Sequence, residues 1–439
     1  MRPNTKLNHK IWHLAWPMII SNLSVPLLGM VDTAVLGHLK SPHFLAAVAV
    51  GSSILAFLYW GFGFLRMGTT GLTAQAYGAD QHDQSRLIAF RSIIIALCLG
   101  IMVICFSPWL LEFGFTLIGP SSEIKSIAAS YSQIRIFSAP AVLVNYAIIG
   151  WLIGRQNTRY PLIIVLFTNS LNIGLDVLLV IGLDMASDGA AIATLIAECS
   201  GCALGLLLLK QTLKRLPGQL DYQQLWQWRD YQQLILINRH LFIRTLILLT
   251  SLAFFTSQGA KQGEVILAAN VIIMNLLMFT SFGLDGFAHA AEALVGDAVG
   301  KRNWPAFKAT CLACGLWSLI TGVVFTLLYW VAGPLLIKQL TSIEEVQQQA
   351  GLYLPWLIAL PIIAVWGYLL DGIFIGAART AAMQQTMLAA AILVYLPCWY
   401  FSQAWGNHGL WLAFICFNAA RGAFLALYFH HYSLQRSWW

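Results

Sequence analysis

The chain has 439 residues, of which 59% are hydrophobic and only 10% charged, with a formal net charge of +7 and a mean hydropathy of +0.71. Soluble domains carry about 25% charged residues because their surface faces water. The composition therefore excludes a cytosolic enzyme, a nucleic-acid-binding module and a secreted disulfide scaffold, and it predicts an integral membrane protein.

Twelve apolar runs are long enough to cross a bilayer, which takes about 20 largely apolar residues in an α-helix. They lie near residues 11–36, 44–70, 87–111, 126–152, 160–182, 189–209, 241–259, 265–296, 308–337, 345–376, 382–402 and 408–430, and they are numbered here as spans 1 to 12. The first run is too long for a secretory signal peptide, so it is predicted to be a membrane helix. The predicted fold class is an all-α integral membrane protein with twelve transmembrane helices.

One connector, residues 210–240, is longer than the others and interleaves tryptophans with polar residues. This composition predicts an amphipathic segment on the cytoplasmic membrane surface. The linker divides the chain into a first lobe, residues 1–209 with spans 1 to 6, and a second lobe, residues 241–439 with spans 7 to 12.

Lys and Arg are distributed unevenly over the connectors. If the N-terminus is cytoplasmic, the segments on that side hold 18 of these residues, Arg244 among them, and the segments on the opposite side hold 4. Cytoplasmic loops of membrane proteins carry the excess of Lys and Arg. The asymmetry predicts a multi-pass protein of the cell (inner) membrane with both termini in the cytoplasm.

The two halves of the chain repeat each other at a spacing of 222 residues. Because each half contains an even number of spans, both halves enter the membrane in the same direction, which predicts two six-helix lobes around a central cavity. Such a repeat favours a transporter over a membrane-bound enzyme, and no metal-ligand cluster or nucleophile–base pair stands out. The repeated pairs include Gly37 and Gly259, Gly78 and Gly300, Tyr131 and Tyr353, Gly150 and Gly372, Gly154 and Gly376, and Thr158 and Thr380.

Polar residues in the first lobe are predicted to converge at one depth. Asp32 on span 1, Asp176 on span 5 and Thr194 on span 6 all lie about 8–9 Å from the outer boundary, at 1.5 Å per helical residue. On span 5, Asn169, Asn172 and Asp176 are spaced i, i+3, i+7 and share one face. Carboxylates, amides and a hydroxyl at one level can hold a proton or a small cation. The alternative is a structural hydrogen-bond cluster between helices.

Three further residues are candidates for a role in coupling. Glu198 lies one turn beyond the span 6 residue of the cluster and is an additional candidate for it. Asp371 on span 10 has Ile149 as its repeat partner, and we consider it as a second coupling or substrate-contact residue. Pro26 removes a backbone hydrogen bond six residues before Asp32 and predicts a helix bend, either proton-sensitive or fixed.

Span 8 carries Asp285, His289 and Glu292 at the spacing i, i+4, i+7. A histidine between two acids could relay protons, but a wet cavity wall or pairing between helices is the favoured interpretation. Arg135 and Arg244 are predicted to pair with acids or to extend to the cytoplasmic surface.

Five stretches carry a resemblance to a known family: PLLGMVDTAVLGHL (26–39), LRMGTTGLTAQAYGA (65–79), NSLNIGLDVLLV (169–180), DGAAIAT (188–194) and YLLDGIFIGAART (368–380). With twelve spans and a parallel repeat, the chain resembles the multidrug and toxic compound extrusion (MATE) transporters, and within them the DinF-like branch, essentially from end to end. The resemblance implies two lobes forming a V-shaped cavity and ion-coupled export of amphipathic, often cationic, compounds.

The resemblance also implies site residues. The coupling-ion site of DinF-like members falls here on Asp32, Asn172, Asp176 and Thr194. Members of another branch use an acidic pair on helices 7 and 10 of the second lobe. Asp371 matches the helix 10 member, but span 7 has no carboxylate, which argues against a second-lobe sodium site.

The leading hypothesis is multidrug efflux by proton-coupled antiport and alternating access. A sodium-coupled exporter using the same first-lobe site is the closest alternative, and a flippase for lipid-linked precursors is an alternative of another class. Six acids against three arginines within the spans predict a preference for flat lipophilic cations. No cofactor is expected beyond the coupling ion, H⁺ or possibly Na⁺. The expected partners are amphipathic small molecules and the lipid bilayer, with no nucleic acid, and the protein is expected to be a monomer.

Overall fold

The computed structural model describes residues 5–37 and 42–439, which form helices and short connectors. The helices are α1 (Thr5–Gly37), α2 (Pro42–Gly61), α3 (Phe64–Gly78), α4 (His82–Ile118), α5 (Ser122–Arg135), α6 (Ala139–Gly154), α7 (Arg159–Asp176), α8 (Ala186–Lys214), α9 (Tyr222–Leu225), α10 (Trp228–Ala260), α11 (Glu264–Gly300), α12 (Trp304–Leu340), α13 (Glu344–Gly376), α14 (Thr380–Ala389), α15 (Leu396–Ser402) and α16 (Asn407–Gln435). Two π-helical segments, Val177–Gly182 and Ala390–Tyr395, continue α7 and α14. Single 3₁₀ turns follow α5 and α15.

Twelve helical segments in the described part of the chain are long and apolar enough to cross a membrane. Each coincides with one predicted span, so the all-α membrane fold with twelve spans is confirmed. Their bounds are Thr5–Gly29, His43–Gly78, His82–Ile118, Ser122–Gly154, Arg159–Gly182, Ala186–Lys214, Trp228–Ala260, Glu264–Gly300, Trp304–Leu340, Glu344–Gly376, Thr380–Trp405 and Asn407–Gln435.

The segment between the sixth and seventh spans is shorter than the predicted linker 210–240, because helices extend into it from both sides. α8 continues to Lys214, and α10 begins at Trp228. Only the four-residue helix α9 and its flanking turns lie between them. Gln, Leu and Arg are good helix formers whether or not they are apolar, which explains how the polar start of α10 is helical.

Two arginines of α4 hold this segment against the first half of the chain. Arg86 Nη2 donates to the carbonyl oxygens of Leu213 and Leu216 at 2.8 and 2.7 Å, and Arg91 Nη2 lies 2.7 Å from Asp230 Oδ2. The large aromatic side chains of the segment remain exposed, as expected for residues at a membrane–water interface. They are Tyr222, Trp226 and Trp228.

By its internal contacts the chain divides into two compact units. We call Ile20–Leu234 the first unit, and Met1–Ile19 together with Ile235–Trp439 the second unit. Both divisions fall inside helices, α1 and α10. The predicted lobes instead began at residue 1 and at residue 241, so the first turns of α1 belong to a different unit from the one the sequence suggested.

The first turns of α1 pack against other helices of the second unit. Ile11 and Leu14 are buried. The Trp12 ring meets the rings of Phe287 and Trp317 edge-on, at centroid distances of 5.3 and 5.1 Å. Buried aliphatic and aromatic surface of this size dominates the energetics of packing, so the start of α1 is bound to α11 and α12.

Two pairs of glycines at corresponding positions of the internal repeat make the same kind of close contact with a neighbouring helix. A Cβ atom added at Gly150 would lie 2.4 Å from the carbonyl oxygen of Arg66, and one at Gly372 would lie 2.5 Å from that of Ala288. One turn further on, a Cβ at Gly154 would meet the Thr70 carbonyl oxygen and one at Gly376 that of Glu292, at 2.6 and 2.5 Å. Small residues four apart let helix backbones approach closely in membranes. α3 and α6 therefore pack in the first unit as α11 and α13 do in the second.

Gly372→Ala is expected to lower the thermal unfolding midpoint, because the new methyl group would overlap backbone atoms of α11 that cannot rotate away. Overpacking typically costs about 1–3 kcal/mol, which corresponds to a shift of a few degrees. Unfolding of the purified protein in detergent, followed by tryptophan fluorescence, measures the shift. The control is Gly367→Ala on the same helix, where an added Cβ has nothing within 4 Å. Equal midpoints for the two variants would contradict the proposed close contact.

Candidate functional site

Close packing of α7 against α8 brings the candidate residues of the two helices together. A Cβ atom added at Gly201 would lie 2.1 Å from Thr168 Oγ1, and one at Gly189 would lie 3.2 Å from the carbonyl oxygen of Leu179. These two contacts bracket the stretch of α7 and α8 that carries the predicted polar cluster. Because neither glycine has a side chain, the two helices come close enough for short polar side chains to contact each other.

Asn172 and Thr194 meet in this stretch. Asn172 Nδ2 donates to Thr194 Oγ1 at 3.3 Å, and the threonine hydroxyl donates to the carbonyl oxygen of Ala190 at 2.9 Å. Asn172 is buried, and its Oδ1 atom has no hydrogen-bond partner among the described residues. An unsatisfied buried acceptor costs about 1–3 kcal/mol. The site therefore offers an acceptor that a proton-bearing group or a cation would satisfy.

Asp176 is the last residue of α7, and the residue is only 2% exposed. It lies four residues after Asn172, so the two share a helix face. The chain continues directly as the π-helical segment Val177–Gly182, a rare conformation that is frequent at functional sites. A carboxylate, an amide oxygen and a hydroxyl are thus supplied by one face of α7 and the adjoining turn of α8.

Asn169 connects this face to α1. Its Nδ2 donates to Ser24 Oγ at 3.0 Å, and Ser24 donates to the carbonyl oxygen of Ser21 at 2.7 Å. Pro26 follows two residues later within α1; the bend predicted there remains a prediction. Asp32 belongs to the same helix, but its side chain lies outside the described residues, so its placement in the cluster rests on the sequence alone.

Glu198 is paired with an arginine. Arg135 Nη2 donates to Glu198 Oε1 at 3.1 Å, and both side chains are largely buried. Arg135 Nη1 also donates to Tyr131 Oη at 3.1 Å, and that oxygen lies 2.8 Å from Ser52 Oγ. The predicted pairing of Arg135 with an acid is confirmed, and this network commits one oxygen of Glu198 to joining α5 and α8.

Asp371 is paired with two arginines. Its Oδ2 atom accepts hydrogen bonds from Arg244 of α10 and from Arg421 of α16, the latter at 3.1 Å. The predicted pairing of Arg244 with an acid is confirmed as well. Sequence reasoning counted Arg244 among the cytoplasmic connectors, whereas the residue is buried within α10. Arg244 is the fourth residue of the predicted span 7, and this position could have indicated that the residue is buried in the membrane.

His289 and Glu292 of the predicted series on span 8 lie together in α11. His289 Nδ1 is 3.2 Å from Glu292 Oε1, and both side chains are buried. Asp285 is less buried than either, and a proton relay through the three stays a prediction. Among the described residues, no three His, Cys, Asp or Glu side chains come together as a group that could hold a metal ion.

Comparison with known proteins adds an independent line of evidence. The sequence model of the MatE family matches residues 17–178 and 241–401, which cover most of the chain and both halves of its repeat. The chain belongs to the MatE family. It is therefore a membrane transporter and not an enzyme, and the resemblance to the MATE transporters is confirmed.

Relatives of this MatE protein include DNA damage-inducible protein F of Escherichia coli (strain K12), which is 41% identical over 444 residues, or 99% of this chain and 94% of that protein. This identity bears out the DinF-like assignment. A probable multidrug resistance protein NorM of Acinetobacter baylyi is 25% identical over 92% of each chain. A solved outward-facing structure of a multidrug resistance MATE family transporter matches with a TM-score of 0.88 at 19% identity, over 98% of this chain and 96% of that one. It shows the same fold.

Arg135→Gln is expected to destabilise the protein strongly, because removing one partner of a buried ion pair leaves the other charge uncompensated, at a cost of about 3–5 kcal/mol. The double variant Arg135→Gln with Glu198→Gln is expected to recover part of that loss, since neither charge then remains. Thermal unfolding of the single and double variants gives the coupling free energy between the two positions, expected to be about 1–3 kcal/mol. Simple additivity would show that the pair is not coupled.

Proposed function

We propose that this MatE protein is a cation-coupled antiporter that exports amphipathic organic compounds by alternating access, with the proton as the coupling ion. The observation that carries the proposal is the buried group on α7 and α8. There Asp176 shares a helix face with Asn172, whose Oδ1 has no hydrogen-bond partner among the described residues. Such a group offers a carboxylate and an amide oxygen to a proton or a cation.

The free energy for coupling comes from burial. A charged carboxylate at membrane depth costs several kcal/mol, and a protonated one costs far less. Uptake of a proton from outside would neutralise Asp176 or Asp32, remove the attraction for a cationic substrate and favour its release. The neutral site would then permit return to the inward-facing form. A ligand shifts such an equilibrium only by its differential affinity for the two conformations.

The relatives support export as the direction of transport. The names of the NorM relative and of the solved MATE family transporter both refer to multidrug resistance. The excess of Lys and Arg on one side of the spans supports a location in the cell membrane with both termini in the cytoplasm.

The same residues support sodium as a competing coupling ion. Carboxylate, amide and hydroxyl oxygens are the donors that hard cations prefer, and Asp176, Asn172 and Thr194 supply one of each kind. A carboxylate that can take up a proton can also be one ligand of a sodium ion, so transport measurements have to separate the two.

Asp176→Asn is expected to reduce export of a fluorescent lipophilic cation from intact cells to the level of cells without the protein, because an amide cannot take up the proton. Asp32→Asn is expected to do the same. The matched control is Asp184→Asn, an exposed position in the turn after the π-helical segment, where a positive φ of 54° is tolerated by Asn. Full export by Asp176→Asn at equal expression would overturn the proposed coupling site.

Purified protein in liposomes is expected to transport the same cation when a pH gradient is imposed in sodium-free buffer. Dissipating the gradient with a protonophore should abolish transport. If transport requires a sodium gradient and does not respond to the pH gradient, the proposed site stands, but its coupling ion is Na⁺ and not H⁺. The Asp176→Asn protein in the same liposomes is the control for leakage.

A further inference from the structure

An apolar groove opens at the surface of the second unit between α12, α13 and α16. It has a volume of about 880 Å³ and is lined by aliphatic, aromatic and small residues of these three helices. Large side chains of its wall are exposed, Leu312 at 61% and Leu316 at 55% among them. In a chain that spans a membrane, apolar side chains with this exposure are accessible to acyl chains.

The groove carries a positive charge at one end. Lys308 is the only charged residue among the described residues that line it. The lysine is exposed, and its Nζ atom lies 5.6 Å from the centroid of the Trp304 ring. No carboxylate in the described part of the chain forms an ion pair with it. A free cation at one end of an apolar groove complements a molecule that joins an anionic group to a long apolar chain.

The length of the groove matches the depth of one leaflet. Its lining residues on α12 extend from Lys308 to Leu319, which is about 16 Å at 1.5 Å per helical residue. On α13 they extend from Ile362 to Ile373, the same number of residues. The hydrocarbon core of a bilayer is about 30 Å thick, so one leaflet contributes about half of that. An acyl chain that lies in the groove would therefore cover its full length.

Aromatic side chains surround the charged end of the groove. Phe429 lines the groove, and its ring stacks on that of Phe307, the chain neighbour of Lys308, at a centroid distance of 6.2 Å. The rings of Trp304 and Trp438 lie 5.3 and 5.0 Å from that of Phe307. Tryptophans concentrate at the membrane–water interface. This cluster therefore favours a position of Lys308 at the level of the lipid headgroups.

We propose that this groove binds an anionic phospholipid of the inner leaflet, with an acyl chain along α12, α13 and α16 and the phosphate at Lys308. Basic pockets between membrane helices on the cytoplasmic side are typical sites for anionic headgroups. The cationic cargo of the proposed function is disfavoured here, because Lys308 would repel it. The proposal rests on that function only for the choice of leaflet, since the proposed orientation places the start of α12 on the cytoplasmic side.

Lys308→Gln tests the contact with the headgroup. The unmodified protein in neutral detergent should bind dioleoyl phosphatidylglycerol more tightly than dioleoyl phosphatidylcholine, which has the same acyl chains. Lys308→Gln should weaken binding of phosphatidylglycerol about fivefold, because one basic residue near a membrane surface contributes about 1 kcal/mol. Binding of phosphatidylcholine should not change. Titrations followed by native mass spectrometry measure both lipids.

Two lysine variants serve as controls for the headgroup contact. Lys308→Arg keeps the charge and should retain the preference for phosphatidylglycerol. Lys338→Gln removes an exposed lysine near the opposite end of the same helix and should leave the binding of both lipids unchanged. Equal binding of the two lipids by the unmodified protein would overturn the proposal, as would equal weakening by Lys308→Gln and Lys338→Gln.

Ala423→Trp tests the contact with the acyl chain. Ala423 is exposed and lines the groove, so the indole would occupy the space of the chain without entering the buried core. Binding of both lipids should weaken by a comparable factor. The matched control is Leu427→Trp, one turn further along α16 at a position that is 67% exposed and does not line the groove. Unchanged lipid binding by Ala423→Trp would overturn the proposed site.

Two further measurements distinguish the lipid from other occupants. If Ala423→Trp weakens binding of naphthyltrimethylammonium and not of the lipids, the groove is a cargo site and the proposal is wrong. Displacement of phosphatidylglycerol by inorganic phosphate would show a site for a free anion and would also overturn it.

The lipid site and the coupling site can fail independently of each other. Asp176→Asn should bind phosphatidylglycerol as the unmodified protein does, even though it does not export, because Asp176 belongs to the first unit. Loss of the preference for phosphatidylglycerol in Asp176→Asn would overturn a lipid site confined to the second unit. Absence of that preference in the unmodified protein would overturn the lipid site and leave the coupling proposal untouched.

Discussion

A charge placed inside a bilayer is costly unless it is paired, and two largely buried carboxylates of this protein are held by arginine side chains. Glu198 is held by Arg135, and Asp371 by Arg244 and Arg421. Asp176 shares a helix face with the amide of Asn172 and lies in the unit that also carries the Arg135 pair. The first two arrangements fix charge in place. Asp176 is the described carboxylate on which the proposed coupling depends.

The two units share a scaffold but not their chemistry. The glycine contacts of α6 on α3 recur in those of α13 on α11, residue for residue at the spacing of 222. The polar positions do not recur: the counterpart of Asp176 at that spacing is Cys398, and that of Asp371 is Ile149. A side chain does not fit where two helix backbones touch, so the residues at these contacts are glycines in both halves. The side chains that line the polar regions are free to differ, which gives each half its own ion chemistry.

How much the sequence could predict depends on the range of the interaction. Apolar runs predict the twelve spans because burial in lipid depends only on local composition. The i, i+3, i+7 spacing predicts that Asn172 and Asp176 share a face, and it needs only helix geometry. The partners of Glu198 and Asp371 lie on other helices, 63 and 50 or 127 residues away, and no local pattern specifies which helices meet. Arg244 lies inside the predicted span 7, but its partner Asp371 is 127 residues away, so the span boundary alone does not show that the arginine is buried in an ion pair.

The covalent connection between the two units runs through continuous helices rather than through flexible loops. The chain passes from one unit to the other between Ile19 and Ile20 in α1, and between Leu234 and Ile235 in α10. Because the backbone hydrogen bonds of a helix run within the helix, neither crossing can lengthen as a loop can without breaking them. Pro26 lies fewer than two turns from the first crossing, and a proline there removes a backbone hydrogen bond of α1, where a bend is predicted. α10 contains no proline, so its backbone hydrogen bonds can continue from one unit into the other without the interruption that Pro26 causes in α1.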